Sequence, residues 1–225
     1  MTRKHAIVIG SSGMVGTQLI NQLSLSNEFS QITSLVRRPT GITHPKLKEH
    51  IVDFESIEQY AHLIQGDVLF STLGTTLANA KTKEAQYKVD FDYQHQVARL
   101  ASANGIPTYV LVSSTGASSS SKNFYLRMKG ELDDAVQQLS FKNITILRPG
   151  QLDGDRQEKR LGERIGLLFM HSLNKLGLLT SYRPIQASIV AKAMLNGAKL
   201  SGTNIVALDK VFDLAEKNSI GSHLT

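Results

Sequence analysis

The chain has 225 residues and a mass of 24.7 kDa, which suits one α/β domain with a sizeable core. It contains no cysteine, which excludes a disulfide framework, a thiolate zinc site and a cysteine nucleophile. The net charge of +6 comes from scattered Lys and Arg residues without interleaved aromatics, so we expect no nucleic-acid partner. No apolar run has membrane-spanning length, and a strand follows Lys4 directly, without room for a signal peptide. We therefore expect a cytoplasmic protein without a membrane span.

The first apolar run, residues 5–9, ends at a glycine and is followed by a helical pattern of apolar residues. The glycines have the spacing G-x-x-G-x-x-G, which indicates a dinucleotide-binding turn; a merely structural turn is the alternative. Gly10 permits the tight turn, Gly13 lets a pyrophosphate approach the backbone, and Gly16 lets the helix pack closely. The helix N-terminus offers N–H groups and a positive dipole end to the phosphates. We assign these residues to cofactor binding: Gly10, Ser12, Gly13, Met14, Val15 and Gly16.

Apolar runs then alternate with helical patterns, which is typical of βαβ units and a parallel sheet. We predict further strands at residues 31–37, 49–53, 67–73, 107–113, 143–147 and 204–208. We predict helices at residues 56–64, 83–104, 122–139, 163–175 and 186–200, and a short last helix. Ser56 is the predicted N-cap of the first of these, and Asn104 with Gly105 the predicted end of the second. The prediction is one doubly wound, mostly parallel α/β domain, a Rossmann fold, over residues 1–225. Residues 151–200 would supply most of the substrate side of the cleft.

The end of the second predicted strand indicates the type of cofactor. Many NAD-dependent enzymes place a carboxylate there to hold the ribose hydroxyls, but this chain has Arg37 and Arg38 instead. A guanidinium suits a 2′-phosphate, which a carboxylate would repel. The pair therefore favours NADP(H) over NAD(H), with a solvated pair of surface arginines as the alternative.

Two further turns follow predicted strands. Asp53 and Phe54 would hold and cover the adenine, unless Phe54 is simply a core residue. Thr72, Leu73 and Gly74 lie in a small turn at the carboxyl end of a parallel strand, where open α/β sheets bind ligands. We assign them to the cofactor, with an ordinary βα loop as the alternative.

Tyr125 and Lys129 are the candidate catalytic residues. A spacing of four places both on one helix face, where an ammonium favours the phenolate form of its neighbour. The tyrosine can then exchange a proton with a carbonyl or alcohol while a hydride passes to or from a nicotinamide. Such a pair also arises by chance, so its position after the fifth strand is the stronger argument. That strand ends in Ser113 and Ser114, and either hydroxyl would orient the substrate oxygen, because side chains alternate along a strand.

Together these residues resemble the short-chain dehydrogenase/reductase superfamily. More narrowly, the stretches GSSGMVG, LVRRP, STLGTT, SSTGASSSSKNFYLRMKGELD and LRPGQLDGDRQE resemble the atypical Tat-interacting-protein oxidoreductase family. The resemblance implies a Rossmann fold that binds NADPH, with Ser113, Tyr125 and Lys129 as the catalytic triad. It also places the Arg-Pro-Gly turn, and with it Pro149, beside the nicotinamide.

The expected function is thus an NADPH-dependent oxidoreductase acting on a small carbonyl compound or alcohol. The alternative is a non-catalytic NADP(H)-binding sensor, like the nitrogen-metabolite-repressor-like proteins, which commonly lose the tyrosine. Compared with the sugar-nucleotide epimerases and dehydratases that the resemblance also brings in, the segment after Gly150 is short, so we do not expect a bulky nucleotide-sugar substrate. Its basic residues within 155–183 suit an acidic substrate or a solvated helix face. Histidine spacing predicts no metal site, and we expect a monomer or homodimer.

Overall fold

The computed structural model describes residues 3–153 and 184–217. The described strands are β1 (Lys4–Ile9), β2 (Phe29–Val36), β3 (Leu47–Ile51), β4 (Val68–Ser71), β5 (Thr108–Val112), β6 (Asn143–Arg148), β7 (Leu152–Asp153), β8 (Ile185–Gln186) and β9 (Gly202–Ala207). Seven of these form one parallel sheet in the order β3-β2-β1-β4-β5-β6-β9, and β7 pairs with β8. The predicted mostly parallel, doubly wound fold is therefore confirmed.

Helices cover both faces of this sheet. They are α1 (Met14–Leu25), a 3₁₀ helix (Phe54–Leu63), α2 (Leu77–Ala80), α3 (Lys83–Tyr87), a π-helical turn (Lys88–Asp92), α4 (Tyr93–Ala103), α5 (Phe124–Gln137), α6 (Ala187–Gly197) and α7 (Asp209–Glu216). One core contains α1, α6 and α7, and the other contains the 3₁₀ helix, α4 and α5. Successive residues of β1 alternate between the two cores, with Ala6 and Val8 in the first and Ile7 and Ile9 in the second. Burial on both faces explains why this strand reads as a continuous apolar run.

The strand order reverses between β1 and β4. The chain builds β1, β2 and β3 outward in one direction, and it then returns to place β4 on the other side of β1. A crevice forms outside the carboxyl ends of the strands at such a reversal, and open α/β sheets bind their ligands there. The turns that follow β1 and β4 meet at this position, because Thr72 N–H donates to Ile9 O at 3.0 Å.

Element boundaries differ from the sequence-based prediction by a few residues. β3 begins and ends two residues earlier than predicted, at Leu47 and Ile51. The predicted N-cap, Ser56, is wrong: Asp53 caps the 3₁₀ helix by accepting the N–H of Glu55, and Ser56 has a non-helical conformation. An aspartate carboxylate is at least as good a cap as a serine hydroxyl, so the helix begins earlier. The predicted helix at 163–175 lies outside the described residues.

The predicted helix at 83–104 is present, but it contains a π-helical turn. Its three segments follow one another without a break, from Lys83 to Ala103. Asn104 ends it as predicted, and Gly105 follows with a φ of +79°. A π-helical turn adds a residue to the helix and is frequent at functional sites. It also rotates the residues before it relative to those after it, which decides which side chain faces the sheet.

Candidate functional site

The glycine turn is closely packed at its base and open at its tip. Gly10 has a φ of +83°, and a Cβ there would lie 2.4 Å from Leu73 N. A Cβ on Gly16 would lie 2.1 Å from Gly10 O, so the first turn of α1 contacts the strand end directly. Ser12 and Gly13 are exposed, and Gly13 is the N-cap of α1. This geometry offers exposed backbone at a helix N-terminus, which is the surface that a phosphate group requires.

The turn after β4 lies against the glycine turn. Thr72 Oγ1 donates to Ile9 O at 2.9 Å, in addition to the backbone bond described above. Leu73 is partly buried and Gly74 is exposed. The structure therefore brings these three residues to the edge of the sheet that carries the glycine turn, as the assignment to one ligand requires.

Asp90, which no sequence motif singled out, connects this turn to the candidate catalytic helix. It belongs to the π-helical turn, is 1% exposed, and accepts the Thr75 N–H on Oδ2 at 2.7 Å. Its Oδ1 lies 3.6 Å from Lys129 Nζ, and a Cβ on Gly74 would lie 3.2 Å from the same oxygen. The sequence does contain one signal for Asp90: it occupies a position that the helical pattern assigns to the core. Buried aspartates are rare unless they have a partner.

Lys129 is buried, whereas Tyr125 on the same face of α5 is 38% exposed. Burial opposes the charged form of Lys129, but Asp90, the Tyr125 hydroxyl and Asp133 together raise the pKa of Lys129 above its usual value. A buried ammonium is thus held charged beneath a tyrosine that solvent can reach. This is the arrangement that the four-residue spacing predicted, with the carboxylates as additional partners.

The two serines after β5 differ in their surroundings. Ser114 is partly buried, and its hydroxyl donates to the neighbouring Thr115 O at 3.3 Å. Ser113 is 5% exposed, and its Oγ has no hydrogen bond of ordinary geometry among the described residues. The Ser113 hydroxyl lies beside the buried Asp133 carboxylate and lowers the pKa of Asp133 as a hydrogen-bond donor. The two serines therefore differ in their partners, since Ser113 faces a buried carboxylate and Ser114 bonds within its own loop.

Near Ser113 lies a second ion pair, in which the carboxylate is buried and the guanidinium is partly exposed. Arg148 Nε and Nη2 both lie 2.8 Å from Asp133 Oδ2, and Asp133 is fully buried. No hydrogen bond of strict geometry reaches Asp133 Oδ1, but the Ser113 hydroxyl lies close enough to affect the pKa of Asp133. Burial raises the pKa of Asp133, while the Ser113 hydroxyl and Arg148 act in the opposite direction. The charged groups around Lys129 and Ser113 therefore alternate in sign, in the order Asp90, Lys129, Asp133 and Arg148.

The turn after β6 is fixed to the end of β5. Thr115 N–H donates to Pro149 O at 3.1 Å, and Thr115 Oγ1 donates to Arg148 O at 2.8 Å. Pro149 itself is buried. The Arg-Pro-Gly turn thus lies beside the serines, at the carboxyl ends of β5 and β6.

Arg37 and Arg38 lie directly after β2, at the opposite end of the site. Both are exposed, and neither forms an ion pair with another described residue. Burial and the hydrogen bond from the Tyr93 hydroxyl to Glu55 raise the pKa of Tyr93 to about 12. The positive charge of Arg37 lowers the same pKa, which indicates that Arg37 lies near the Tyr93 ring. Two guanidinium groups are therefore available to an anion at the edge of the crevice.

Asp53 and Phe54 have structural contacts of their own. Both carboxylate oxygens of Asp53 accept hydrogen bonds, from Glu55 N–H at 2.9 Å and from the Ser56 hydroxyl at 3.0 Å. The Phe54 ring is 2% exposed and packs 5.5 Å from the Tyr93 ring. The core alternative for Phe54 is thus favoured, and its ring does not form an exposed cover.

A cleft of about 660 Å³ lies between the start of α1 and the start of α6. Its lining residues are Ser12, Gly13, Met14, Thr17, Gln18, Asp153, Gln186, Ala187 and Ser188. The cleft shares residues with the glycine turn, so a ligand on that turn would border it. The prediction that residues 151–200 form the substrate side falls mostly on residues outside the described part, 154–183.

The described residues fit a dinucleotide in three respects. The glycine turn has the close packing and open tip that a pyrophosphate needs, two exposed arginines follow β2 where a ribose phosphate would lie, and Ser113 follows β5 where a nicotinamide would lie. Val15 and Gly16 are buried at the start of α1, where they support the glycine turn. Within residues 3–153 and 184–217, no three acidic or histidine side chains are grouped as a metal site.

Comparison with known proteins agrees with this geometry. Residues 10–168 match the family described as NAD(P)H-binding. Protein HTATIP2 from Rattus norvegicus is 35% identical over 212 residues, which cover 92% of this chain and 86% of the relative. The protein FMP52, mitochondrial, from Candida glabrata is 36% identical over 207 residues, which cover 88% of this chain and 86% of the relative. These relatives confirm the resemblance that the sequence motifs indicated.

Solved structures with low identity share the fold. MoeE5 in complex with UDP-glucose and NAD has a TM-score of 0.66 at 14% identity, over 94% of this chain and 80% of that chain. The human epimerase family protein SDR39U1 with NADPH has a TM-score of 0.60 at 15% identity, over 90% of this chain and 73% of that chain. The first of these binds NAD and the second NADPH, so the fold is compatible with either dinucleotide.

The relatives correct the expected location. Fungal relatives from Candida glabrata and Candida albicans are named mitochondrial proteins, and the prediction of a cytoplasmic protein is therefore wrong. The absence of cysteine does not indicate a compartment, because a chain without thiols is insensitive to the redox state of its surroundings. None of the helices in the described ranges combines the length and hydropathy needed to cross a bilayer.

Proposed function

The chain belongs to the NAD(P)H-binding family, and from this premise we propose that it is an NADPH-dependent oxidoreductase. It reduces a small carbonyl compound, or oxidises the corresponding alcohol, with Tyr125 as the acid and base. The observation that carries this proposal is the buried pair of Lys129 and Asp90 beneath the accessible Tyr125. Ion pairs in protein interiors carry a large desolvation cost, which a site that only binds a cofactor has no need to bear.

In this proposal, a bound cofactor would lie along the edge of the sheet from β2 to β6. The glycine turn and Met14 hold the pyrophosphate, and Thr72, Leu73 and Gly74 contact the ribose and phosphates. Arg37 and Arg38 hold the 2′-phosphate through charge-assisted hydrogen bonds, which selects NADP(H). The opposite end of the cofactor, the nicotinamide, reaches Ser113, Tyr125 and Pro149.

When bound, NADPH supplies a hydride to the carbonyl carbon of the substrate. The Tyr125 hydroxyl donates its proton to the carbonyl oxygen, and Ser113 orients that oxygen with a hydrogen bond. The charged Lys129 then stabilises the phenolate, and solvent restores the proton, because Tyr125 is 38% exposed. In alcohol oxidation each transfer runs in reverse.

The alternative function is a non-catalytic NADP(H) sensor. Such a protein requires the glycine turn and the two arginines, but it requires neither a charged lysine in the interior nor a buried Ser113 hydroxyl beside Asp133. Those two features favour the enzyme. They lie at the end of the site where a sensor has no chemistry to perform.

Replacement of Tyr125 tests the proposal. Purified protein is assayed with NADPH and a broad panel of aldehydes, ketones and quinones, with the loss of the reduced cofactor followed by absorbance. Tyr125→Phe keeps the ring and should lose about 10²–10⁴ in turnover while it binds NADPH normally. Tyr60→Phe, at a partly buried tyrosine of the 3₁₀ helix, is the matched control and should match the wild type.

Two results would contradict the enzyme. Equal turnover by Tyr125→Phe and the wild type would remove the acid–base role of the phenol. Tight NADPH binding by a wild type that reduces no compound of the panel would favour the sensor.

A further inference from the structure

Glu49 holds the turn that carries Arg37 and Arg38. One oxygen of the Glu49 carboxylate accepts the backbone N–H of Thr40 at 3.0 Å, and the other accepts the Thr40 hydroxyl at 2.5 Å. The hydroxyl oxygen of Thr40 also accepts the N–H of Ile42 at 3.2 Å. Thr40 lies two residues beyond Arg38, so a carboxylate on β3 fixes the chain directly after the arginines.

This turn passes from one face of the sheet to the other. Glu49 lies on the face that α1 covers, because Leu47 packs against the core of that face and side chains two residues apart along a strand share a face. Arg37 lies near the Tyr93 ring of α4, which belongs to the core on the opposite face. The two arginines therefore lie on the segment that passes over the end of β2. The contact between Thr40 and Glu49 fixes the far end of that segment.

The same contact keeps a negative charge away from the arginines. Glu49 is the first carboxylate that follows Arg38 in the sequence. Both of its oxygens accept hydrogen bonds from Thr40, and among the described residues it forms no ion pair with Arg37 or Arg38. A carboxylate turned toward the guanidinium groups would occupy their hydrogen-bond donors and compete with an anionic ligand. The contact with Thr40 therefore leaves both arginines available to a phosphate.

We propose that Glu49 is a positioning residue that sets the preference for a 2′-phosphate. The inference rests on the proposed function, because it concerns the two arginines that would bind this phosphate. Glu49 acts through Thr40: its two hydrogen bonds order the turn, so the arginines meet the phosphate with little further loss of conformational freedom. The preference thus depends on the order of the turn as well as on the two positive charges.

Two substitutions of Glu49 separate its hydrogen bonds from its charge. Glu49→Gln keeps both bonds, because the amide oxygen accepts the Thr40 N–H and the amide nitrogen donates to the Thr40 hydroxyl oxygen. Glu49→Ala removes both bonds. The probes are adenosine 2′,5′-bisphosphate and adenosine 5′-monophosphate, which differ only in the 2′-phosphate. Calorimetric titration of each full-length variant gives the two Kd values, and their ratio measures the preference.

We expect Glu49→Ala to lower this ratio about five- to tenfold, because the hydrogen bonds that order the turn are lost. Glu49→Gln should keep the ratio within about twofold of the wild type. Thr40→Val keeps the side-chain shape and removes one of the two bonds, so it should lower the ratio about two- to fivefold. Glu28→Ala is the matched control, since this exposed glutamate precedes β2 and pairs with Lys199 at 2.6 Å. It should leave the ratio unchanged.

A merely structural role of Glu49 would weaken the binding of both probes together, so an unchanged ratio in Glu49→Ala would overturn the inference. Equal losses in Glu49→Gln and Glu49→Ala would overturn it too, because the charge and not the hydrogen bonds would then be responsible. Thr40→Val decides the question if Glu49→Ala does not fold. A wild type with equal Kd for both probes would contradict the role of the arginines and, with it, the inference. A wild type that selects the bisphosphate but reduces no carbonyl compound contradicts the enzyme alone, and the Glu49 variants still decide the inference.

Discussion

At the proposed catalytic end of the site, the charged groups are already paired: the buried Lys129 with the buried Asp90, and the buried Asp133 with the partly exposed Arg148. At the adenosine end, Arg37 and Arg38 are exposed and form no ion pair with a described residue. Buried charges need fixed partners in the folded protein, since each unpaired one is costly. Exposed cations are solvated and keep their hydrogen-bonding capacity for a ligand. The catalytic end is thus set by folding and the adenosine end by the cofactor, so substitutions at the two ends should differ in what they change.

The largest expected effect is that of Lys129→Met at the buried end. The substitution leaves Asp90 as a buried carboxylate without its cation, which should lower the free energy of unfolding by roughly 3–5 kcal/mol. Turnover should also be lost, because no ammonium stabilises the phenolate of Tyr125. Urea denaturation measures the first effect, and Lys142→Met, at an exposed lysine, is the control that should stay near wild type. Wild-type stability of Lys129→Met would show that the catalytic end is not set by folding.

A smaller effect, on binding alone, is expected at the exposed end. If both arginines hold the 2′-phosphate, NADPH should bind more tightly than NADH by roughly 1.5–3 kcal/mol, or about tenfold or more. The double substitution Arg37→Ala and Arg38→Ala should remove this preference and leave the melting temperature unchanged. Calorimetric titration with both cofactors measures the preference, with Arg99→Ala, an exposed partner of Glu58, as the control. Equal affinity of the wild type for NADPH and NADH would contradict the proposed preference for NADP(H).

The smallest expected effect is that of substitutions at Asp53, an exposed residue that nevertheless has a structural role. It is exposed, yet it caps the 3₁₀ helix, so Asp53→Ala should cost about 1 kcal/mol of unfolding free energy. Asp53→Asn keeps a capping oxygen and should cost only a few tenths. A large loss of NADPH affinity in Asp53→Asn, with stability unchanged, would instead indicate that this carboxylate holds the adenine. Denaturation and titration of the two variants distinguish the outcomes.

The local signals in the sequence predicted the fold well, and the assignment of residues to the ligand stays a prediction. Alternating burial made β1 continuous and apolar, and the positions of Gly10 and Gly16 are required by backbone contacts within a few residues. The spacing of Tyr125 and Lys129 likewise follows from the helix period alone. These features depend on neighbours in the chain, so a pattern can show them.

The partners of the buried charges could not be predicted in the same way. Asp90 reaches Lys129 because a π-helical turn sets its direction, and the sequence pattern gives no sign of that turn. Asp133 meets Arg148 across the helix–sheet interface, which only the packed structure defines. The cap at Asp53 was missed because Ser56 also fits a capping pattern, and the backbone conformation decides between them. Long-range pairing and local backbone geometry therefore account for most of what was missed.

In the proposed complex, one dinucleotide connects the exposed arginines to the groups around Tyr125. A crystal structure with bound NADP⁺ would show this arrangement. We expect the 2′-phosphate within hydrogen-bond distance of Arg37 or Arg38, the pyrophosphate on the turn from Gly10 to Gly16, and the nicotinamide beside Tyr125. Asp90 and Lys129 should keep their pairing in that complex. A nicotinamide placed away from Tyr125, or a 2′-phosphate turned away from both arginines, would contradict the claim.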